Sequence, residues 1–204
     1  PELLSDDLIK YIVKNDKICK YVDIPLQHID DTILKTMGRR TSEKEIKNLI
    51  KKIRNAGDVA IRSTFIVGFP GETDEQFQKL YDFIGEYKLN YAGFFAYSKE
   101  DGTAAAKLKN QIPQAVKNKR LKNITALQSK VIFENNKNYV GKSLKVLYEG
   151  IDYDNNKFYG RPEFCAPEVD AKVLFSSDNL VNVGNFYDVK ITGANGYDLV
   201  GEVK

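Results

Sequence analysis

Thr64 to Phe77 reads TFIVGFPGETDEQF, and its chemistry is concentrated in the turn GFPGET. Gly68 and Gly71 bracket Pro70, so the chain turns sharply and a ligand can come against bare backbone. Junctions of this kind often hold phosphate. A P-loop, however, needs Lys-Ser or Lys-Thr after its second glycine, and here Glu72-Thr73 follows. The GxGxxG dinucleotide fingerprint is absent too. A carboxylate at this mouth disfavours an anion and suits a ligand that brings hydrogen-bond donors or positive charge. The plainer reading is a strand-to-helix turn with no ligand. Other reactive side chains are few. Cys19 and Cys165 have no Cys or His nearby at metal-ligand spacing, so no metal site is expected. His28, the only histidine, has no evident partner for a catalytic triad.

The elements around that turn follow from periodicity. Phe65 to Phe69 is a continuous apolar run, as expected of a parallel strand covered on both faces. Thr73 fits a helix N-cap, with Gln76 as its capping-box partner. Upstream, SDDLIKYIVKN predicts a helix, YVDIPLQ a strand, and DDTILKTM a second helix. SEKEIKNLIKKIRNAG predicts a third, opened by a Ser42/Glu45 capping box and closed by Gly57. The strands AIRSTFIVGF and YAGFFAYS flank the helix DEQFQKLYDFIGEYK. A long amphipathic helix is predicted from Pro113 to about Asn138, with Val116, Leu121, Ile124, Leu127 and Val131 as its apolar stripe. Strand and helix alternate through residues 1–138, which implies parallel βα units in an open sheet or part of a barrel. From Tyr139 the texture becomes short strands with Gly, Asn and Asp turns, so residues 139–204 are predicted to form a small OB-like antiparallel barrel. The fold class is therefore α/β followed by all-β.

Composition narrows the partners. The 204 residues are 42% hydrophobic and 29% charged, an ordinary globular balance. No apolar run approaches the roughly twenty residues of a membrane span. No signal peptide is visible, which predicts no membrane partner and a cytoplasmic location. The chain starts at PELLSDDLIK without Met, as the middle of something longer would. Charge is uneven: residues 139–204 carry seven Lys plus Arg against ten Asp plus Glu, and residues 1–138 carry 24 against 18. An acidic barrel is poorly suited to RNA, because phosphate contacts need cations, and better suited to a basic protein. A solubilising surface is the alternative.

Five segments carry a family resemblance: YVDIPLQH (21–28), LKTMGRR (34–40), IVGFPGET (66–73), FAYSKEDGT (95–103) and GRPEFCAPEVDA (160–171). Together, and in this order, they resemble the radical S-adenosylmethionine methylthiotransferases. PLQH, MGRR and GRPEF-APEVD point to the branch that modifies an aspartate of small-subunit ribosomal protein S-twelve. IVGFPGET alone marks the wider family, which also contains transfer-RNA methylthiotransferases, so transfer RNA is the alternative partner.

The resemblance implies the later βα units of a partial, TIM-like radical-SAM barrel followed by a TRAM barrel. It implies S-adenosylmethionine and two 4Fe-4S clusters, one held by a CxxxCxxC loop and one by an upstream cysteine set. This chain has neither set, so the resemblance implies a C-terminal part with no catalytic residue of its own and no activity alone. Cofactor contacts are expected from Gln27 at a strand end, from the Ile66–Phe69 strand with Gly68 and Gly71, and from Tyr97 and Ser98. Tyr97 as a packing residue is the competing reading. Arg39 is expected to pair with the cofactor carboxylate through charge-assisted hydrogen bonds, with Arg40 as its competitor. Glu163, Glu168 and Asp170 are expected on an exposed edge or loop of the barrel, facing the basic ribosomal protein. The implied reaction adds a methylthio group to the aspartate β-carbon after hydrogen abstraction.

Overall fold

Local signals start the helices where the sequence places them. In the computed structural model, which describes residues 3–203, Ser5 caps α1 (Asp6–Lys14) and Asp30 caps α2 (Asp31–Thr36). Both capping boxes form: Ser42 with Glu45 opens α3 (Glu43–Ala56), and Thr73 with Gln76 opens α4 (Asp74–Tyr87). The order is α1, β1 (Tyr21–Asp23), α2, α3, β2 (Ala60–Val67), α4, β3 (Tyr91–Ala96) and α5 (Gln114–Lys137). Five strands follow: β4 (Ser143–Asp152), β5 (Lys157–Arg161), β6 (Val173–Ser177), β7 (Phe186–Asn195) and β8 (Asp198–Val203). The chain divides into two compact units, residues 1–18 with 22–128, and residues 19–21 with 129–204.

In the first unit β2 lies between β1 and β3. β2 and β3 are parallel, with Phe65 opposite Phe94 and Ile66 opposite Phe95. The expected strand YVDIPLQ is regular only at Tyr21–Asp23, but pairing resumes at Gln27, which bridges to Phe65 in parallel. One sheet face packs Ile24, Leu26, Ile61, Phe65 and Val67 against Ile46, Ile50, Leu80, Phe83 and Ile84 of α3 and α4. The expectation that β2 is covered on both faces is not met. Its burial alternates, and Arg62, Thr64 and Ile66 are only partly buried. Apolar residues occur on both faces here, so the continuous run concealed a period of two. The open face also carries Asp23, paired with Arg62 at 2.7 Å, and Phe95, 61% exposed.

Gly57 closes α3 as expected, and one expectation about α5 needs correcting. Gly57 ends α3 in an extended conformation, φ 167°, and its role is steric: a Cβ there would sit 2.8 Å from Val13 Cγ1. Along α5, Ile124 and Val131 are buried as the stripe required, but so are Lys117, Arg120 and Gln128. The buried face of α5 thus includes three polar residues in phase with the apolar stripe.

The second unit holds a closed barrel in the order β4-β5-β6-β8-β7. Its pairings are antiparallel except the closing pair β6–β8, which is parallel. Val146, Tyr148, Val173, Phe175, Val189, Ile191 and Leu199 fill it. Two glycines, Gly160 and Gly201, allow the strands to approach. A Cβ on Gly160 would lie 2.1 Å from Leu147 O and 2.8 Å from Val146 Cγ1, whereas one on Gly193 would meet nothing within 4 Å. Gly160→Ala is expected to destabilise the barrel by about 3 kcal/mol, the upper range for forcing atoms into a packed interior. Gly193→Ala is expected to stay within about 0.5 kcal/mol of the parent. Urea unfolding of both variants, followed by the near-ultraviolet signal of the barrel tyrosines, checks the contrast.

Candidate functional site

Parallel α/β folds present their ligand-binding groups at the carboxyl ends of the strands, and three strand ends meet in the first unit. At the first, Gln27 adopts φ +69°, a left-handed conformation that is uncommon outside glycine. It is held there from both sides: Gln27 N donates to Thr64 O at 2.8 Å, and Ile66 N donates to Gln27 O at 2.9 Å. An enforced outlier at a strand end is a mark of sites where positioning matters.

The second end is the turn after β2. Gly68 has φ +70° and Gly71 φ +87°, as a tight turn requires. Glu72 does not face outward to a ligand as its place in the sequence suggested. It is 2% exposed and folds back into its own turn. Its carboxylate accepts from Gly68 N at 2.7 Å, from Phe69 N at 3.3 Å, and from the Arg120 guanidinium at 2.9 Å. The backbone donors that would attract an anion are therefore filled by an internal one. Burial pushes the Glu72 carboxyl upward, against the pull of Arg120 and the two amides.

The third end is β3. Tyr97 is 8% exposed and packs edge-on against Phe69, ring centroids 5.3 Å apart. Ile33 completes this small cluster, with Met37 and Ile66 packed against it. The Tyr97 hydroxyl is buried and has no hydrogen-bond partner among the described residues. Ser98 is exposed and donates to Glu100 at 2.7 Å. Gly71 N donates to Asn110 O at 2.7 Å, which ties the loop after β3 to the turn.

Arg39 follows α2, whose end is a Schellman motif centred on Gly38 at φ +75°. Gly38 N donates to Lys35 O, and Arg39 N donates to Leu34 O at 2.8 Å. Arg39 is half-buried and Arg40 exposed. MGRR is thus a helix stop that fixes the arginine backbone.

Of the sequence-predicted residues, Ile66, Phe69 and Tyr97 come together, and Gln27 is hydrogen-bonded to Ile66. Glu163, Glu168 and Asp170 lie in the second unit, on the loop between β5 and β6. Glu163 and Glu168 are exposed. Asp170 is occupied within the unit, accepting from Tyr21 Oη at 2.7 Å and from Ala166 N at 2.9 Å. Sequence reasoning missed Lys117 and Arg120. The available signal was their spacing: 117, 120 and 124 follow one another at helical intervals.

His28 is fully buried. Its Nδ1 accepts from Asp30 N at 3.0 Å, and its Nε2 lies 3.8 Å from Glu72 Oε2. Burial lowers its pKa to about 4, so at neutral pH the ring is uncharged and makes no ion pair.

The nature of the site is indicated by comparison with known proteins. The radical SAM superfamily profile matches residues 1–84, and a TRAM domain profile matches residues 140–203. Part of the chain shares its fold with a radical SAM enzyme, coproporphyrinogen III oxidase from Escherichia coli. The TM-score is 0.53 at 18% identity, over 64% of this chain and 31% of that one. These matches define a chain of radical SAM and TRAM type.

The relatives narrow it further. The whole chain is 47% identical to the ribosomal protein uS12 methylthiotransferase RimO of Alkaliphilus oremlandii and 45% identical to that of Clostridium novyi. The protein of the same name from Acetivibrio thermocellus is 42% identical. Along its whole length the chain is similar to these radical SAM methylthiotransferases. It spans about half the length of these relatives, 47%, 46% and 45% respectively.

The family cofactors fit this chain unequally. The strand ends suit the nucleoside of S-adenosylmethionine: Ile66 gives half-exposed apolar surface, Gly71 would clear a ligand, and the Tyr97 hydroxyl is unmatched. A thiolate-held iron–sulfur cluster does not fit. The chain has two cysteines, one exposed and one buried, and no three His, Cys, Asp or Glu among the described residues are grouped to hold a metal. No helix of the described residues is long and apolar enough to cross a membrane.

The buried histidine makes stability depend on pH. Its folded pKa of about 4 lies below its ordinary value of 6.5, so the unfolded chain binds a proton first. The contribution is complete above pH 6.5 and is lost as pH falls towards 4, with a slope of up to about 1.4 kcal/mol per pH unit. Urea unfolding at pH 7, 6 and 5 is expected to show this acid limb, and His28→Asn to flatten it.

Proposed function

We propose that this chain is the cofactor-facing and substrate-docking part of a methylthiotransferase that acts on an aspartate of ribosomal protein uS12 in the cytoplasm. The observation that carries the reading is the unbroken similarity to proteins of that name, 42–47% identity across the whole chain. The half-open sheet face supports it, because a parallel sheet is normally covered on both sides and this one offers Thr64, Ile66 and Phe95.

S-adenosylmethionine, when bound, supplies radical hydrogen abstraction and methyl transfer. The residues of this chain bind and orient. Ile66 and the backbone of the β2 turn take the adenine, and the Tyr97 hydroxyl and Gln27 provide hydrogen bonds. Arg39 pairs with the amino-acid carboxylate, for which a guanidinium offers two parallel donors. The two 4Fe-4S clusters of the proposed enzyme would be held by residues other than the two cysteines of this chain. On the barrel, Glu163 and Glu168 are free to meet a basic protein, whereas Asp170 holds its own loop. The acidic balance of residues 139–204 favours a protein partner over transfer RNA.

Deleting the gene is expected to remove one methylthio group from uS12, seen in the mass spectrum of the intact ribosomal protein. The unaltered gene should restore it and Arg39→Ala should not. Restoration by Arg39→Ala but not by Arg40→Ala would move the carboxylate partner by one residue. Unchanged uS12 with loss of a methylthio nucleoside from transfer RNA would sink the proposal.

A further inference from the structure

Two buried cations on α5 have no place in the reading above, and both attach to the strand ends. Arg120 is 5% exposed. Its Nη1 donates to the Glu72 carboxylate at 2.9 Å and to the Glu72 carbonyl at 3.1 Å, and its Nη2 donates to Asp74 at 2.7 Å. One guanidinium thus spans the turn and the first residue of α4. Its face lies 5.6 Å from the centre of the Phe77 ring. Lys117, one helical turn earlier, is 6% exposed. Its ammonium donates to Tyr97 O at 2.9 Å and lies 5.0 Å from the centre of the Tyr97 ring. Its stem occupies the space that a side chain at Gly68 would need, with Cγ 2.4 Å from where a Cβ would stand.

Apolar residues at 117 and 120 would anchor α5 to the sheet without the desolvation that a buried cation costs. Among the described residues, the hydrogen-bond partners of these two cations belong instead to the turn after β2, the start of α4 or the end of β3. Gly68 also gains a specific explanation: its missing side chain admits Lys117.

We propose that Lys117 and Arg120 are positioning residues for S-adenosylmethionine: Arg120 holds the Gly68–Glu72 turn closed on its own carboxylate, and Lys117 sets the Tyr97 backbone and ring against that turn. Neither touches the ligand. The inference rests on the reading that these strand ends bind the cofactor. It adds that their geometry is imposed from a helix some forty residues downstream. The turn cannot recruit an anion, because Glu72 already fills its amides. What remains for a ligand is the partly exposed apolar surface of Ile66 beside Tyr97.

The test is calorimetric titration of the full-length polypeptide with S-adenosylmethionine, paired with thermal unfolding of each variant. Lys117→Met keeps the stem beside Gly68 and removes the ammonium. Arg120→Lys keeps the charge but cannot bridge Glu72 and Asp74 together. Lys122→Met, at an exposed position of the same helix, is the control. We expect affinity to fall at least about tenfold in both buried variants and to stay unchanged in the control. Each variant should retain a cooperative unfolding transition. In the amide spectrum, the Gly68 signal should move in Arg120→Lys without ligand present. Normal binding in the parent with affinities within twofold in both variants would overturn the inference and leave the cofactor reading standing. No binding by the unaltered polypeptide would overturn both.

Discussion

The buried contact between Glu72 and Arg120 is the constraint on which the candidate site depends. A carboxylate with 2% exposure is tolerated only where its oxygens are satisfied, and Glu72 has two backbone amides and a guanidinium. Those amides belong to Gly68 and Phe69, the residues that turn the chain out of β2. The interaction therefore sets the exit of β2, the entry to α4 and the placement of Phe69 under Tyr97 at once. His28 stands on the other side of the carboxylate, 3.8 Å away and neutral, where a charged partner would compete with Arg120.

From this contact the rest of the site can be followed outward. The Glu72–Arg120 pair fixes Phe69, Phe69 packs on Tyr97, and Ile33 and Met37 close the cluster from α2. Met37 is the last residue before the Gly38 stop that presents Arg39. Gln27 is tied to Ile66 through the strand ladder and takes its strained backbone from that pairing. Three strand ends and one helix end thus share a single packed support, with the polar groups a ligand would use at its rim. Rigid secondary elements supporting precise loops are what binding constellations require.

Signals within a few residues of each other were legible in the sequence. Ser42 with Glu45 and Thr73 with Gln76 each mark a helix start through contacts three residues apart, and both formed. The order of strands and helices and the change to a barrel were legible for the same reason. What escaped was long-range. The direction of Glu72 depends on Arg120, 48 residues away, and nothing local distinguishes a carboxylate aimed at a ligand from one aimed inward. Lys117 and Arg120 are buried although charged side chains are mostly solvated, and the apolar pattern of α5 does not mark them. Asp170 looked like part of an acidic docking surface until Tyr21, 149 residues earlier in sequence, was found as its partner. The proposed cofactor and substrate rest on the family resemblance. Local physics alone reached only a strand-to-helix turn that refuses phosphate.

The central claim is that one buried ion pair organises the strand ends, and a double-mutant cycle addresses it most directly. Glu72→Gln, Arg120→Met and the double variant would be compared with the parent by urea unfolding at pH 7. Each single change deprives the other residue of its buried charge partner and should cost about 3 kcal/mol. The double change removes both charges and should recover a large part of that loss, giving a coupling energy of at least about 2 kcal/mol. Additive losses, with a coupling near zero, would mean that the two residues act independently and that the turn is held by something else.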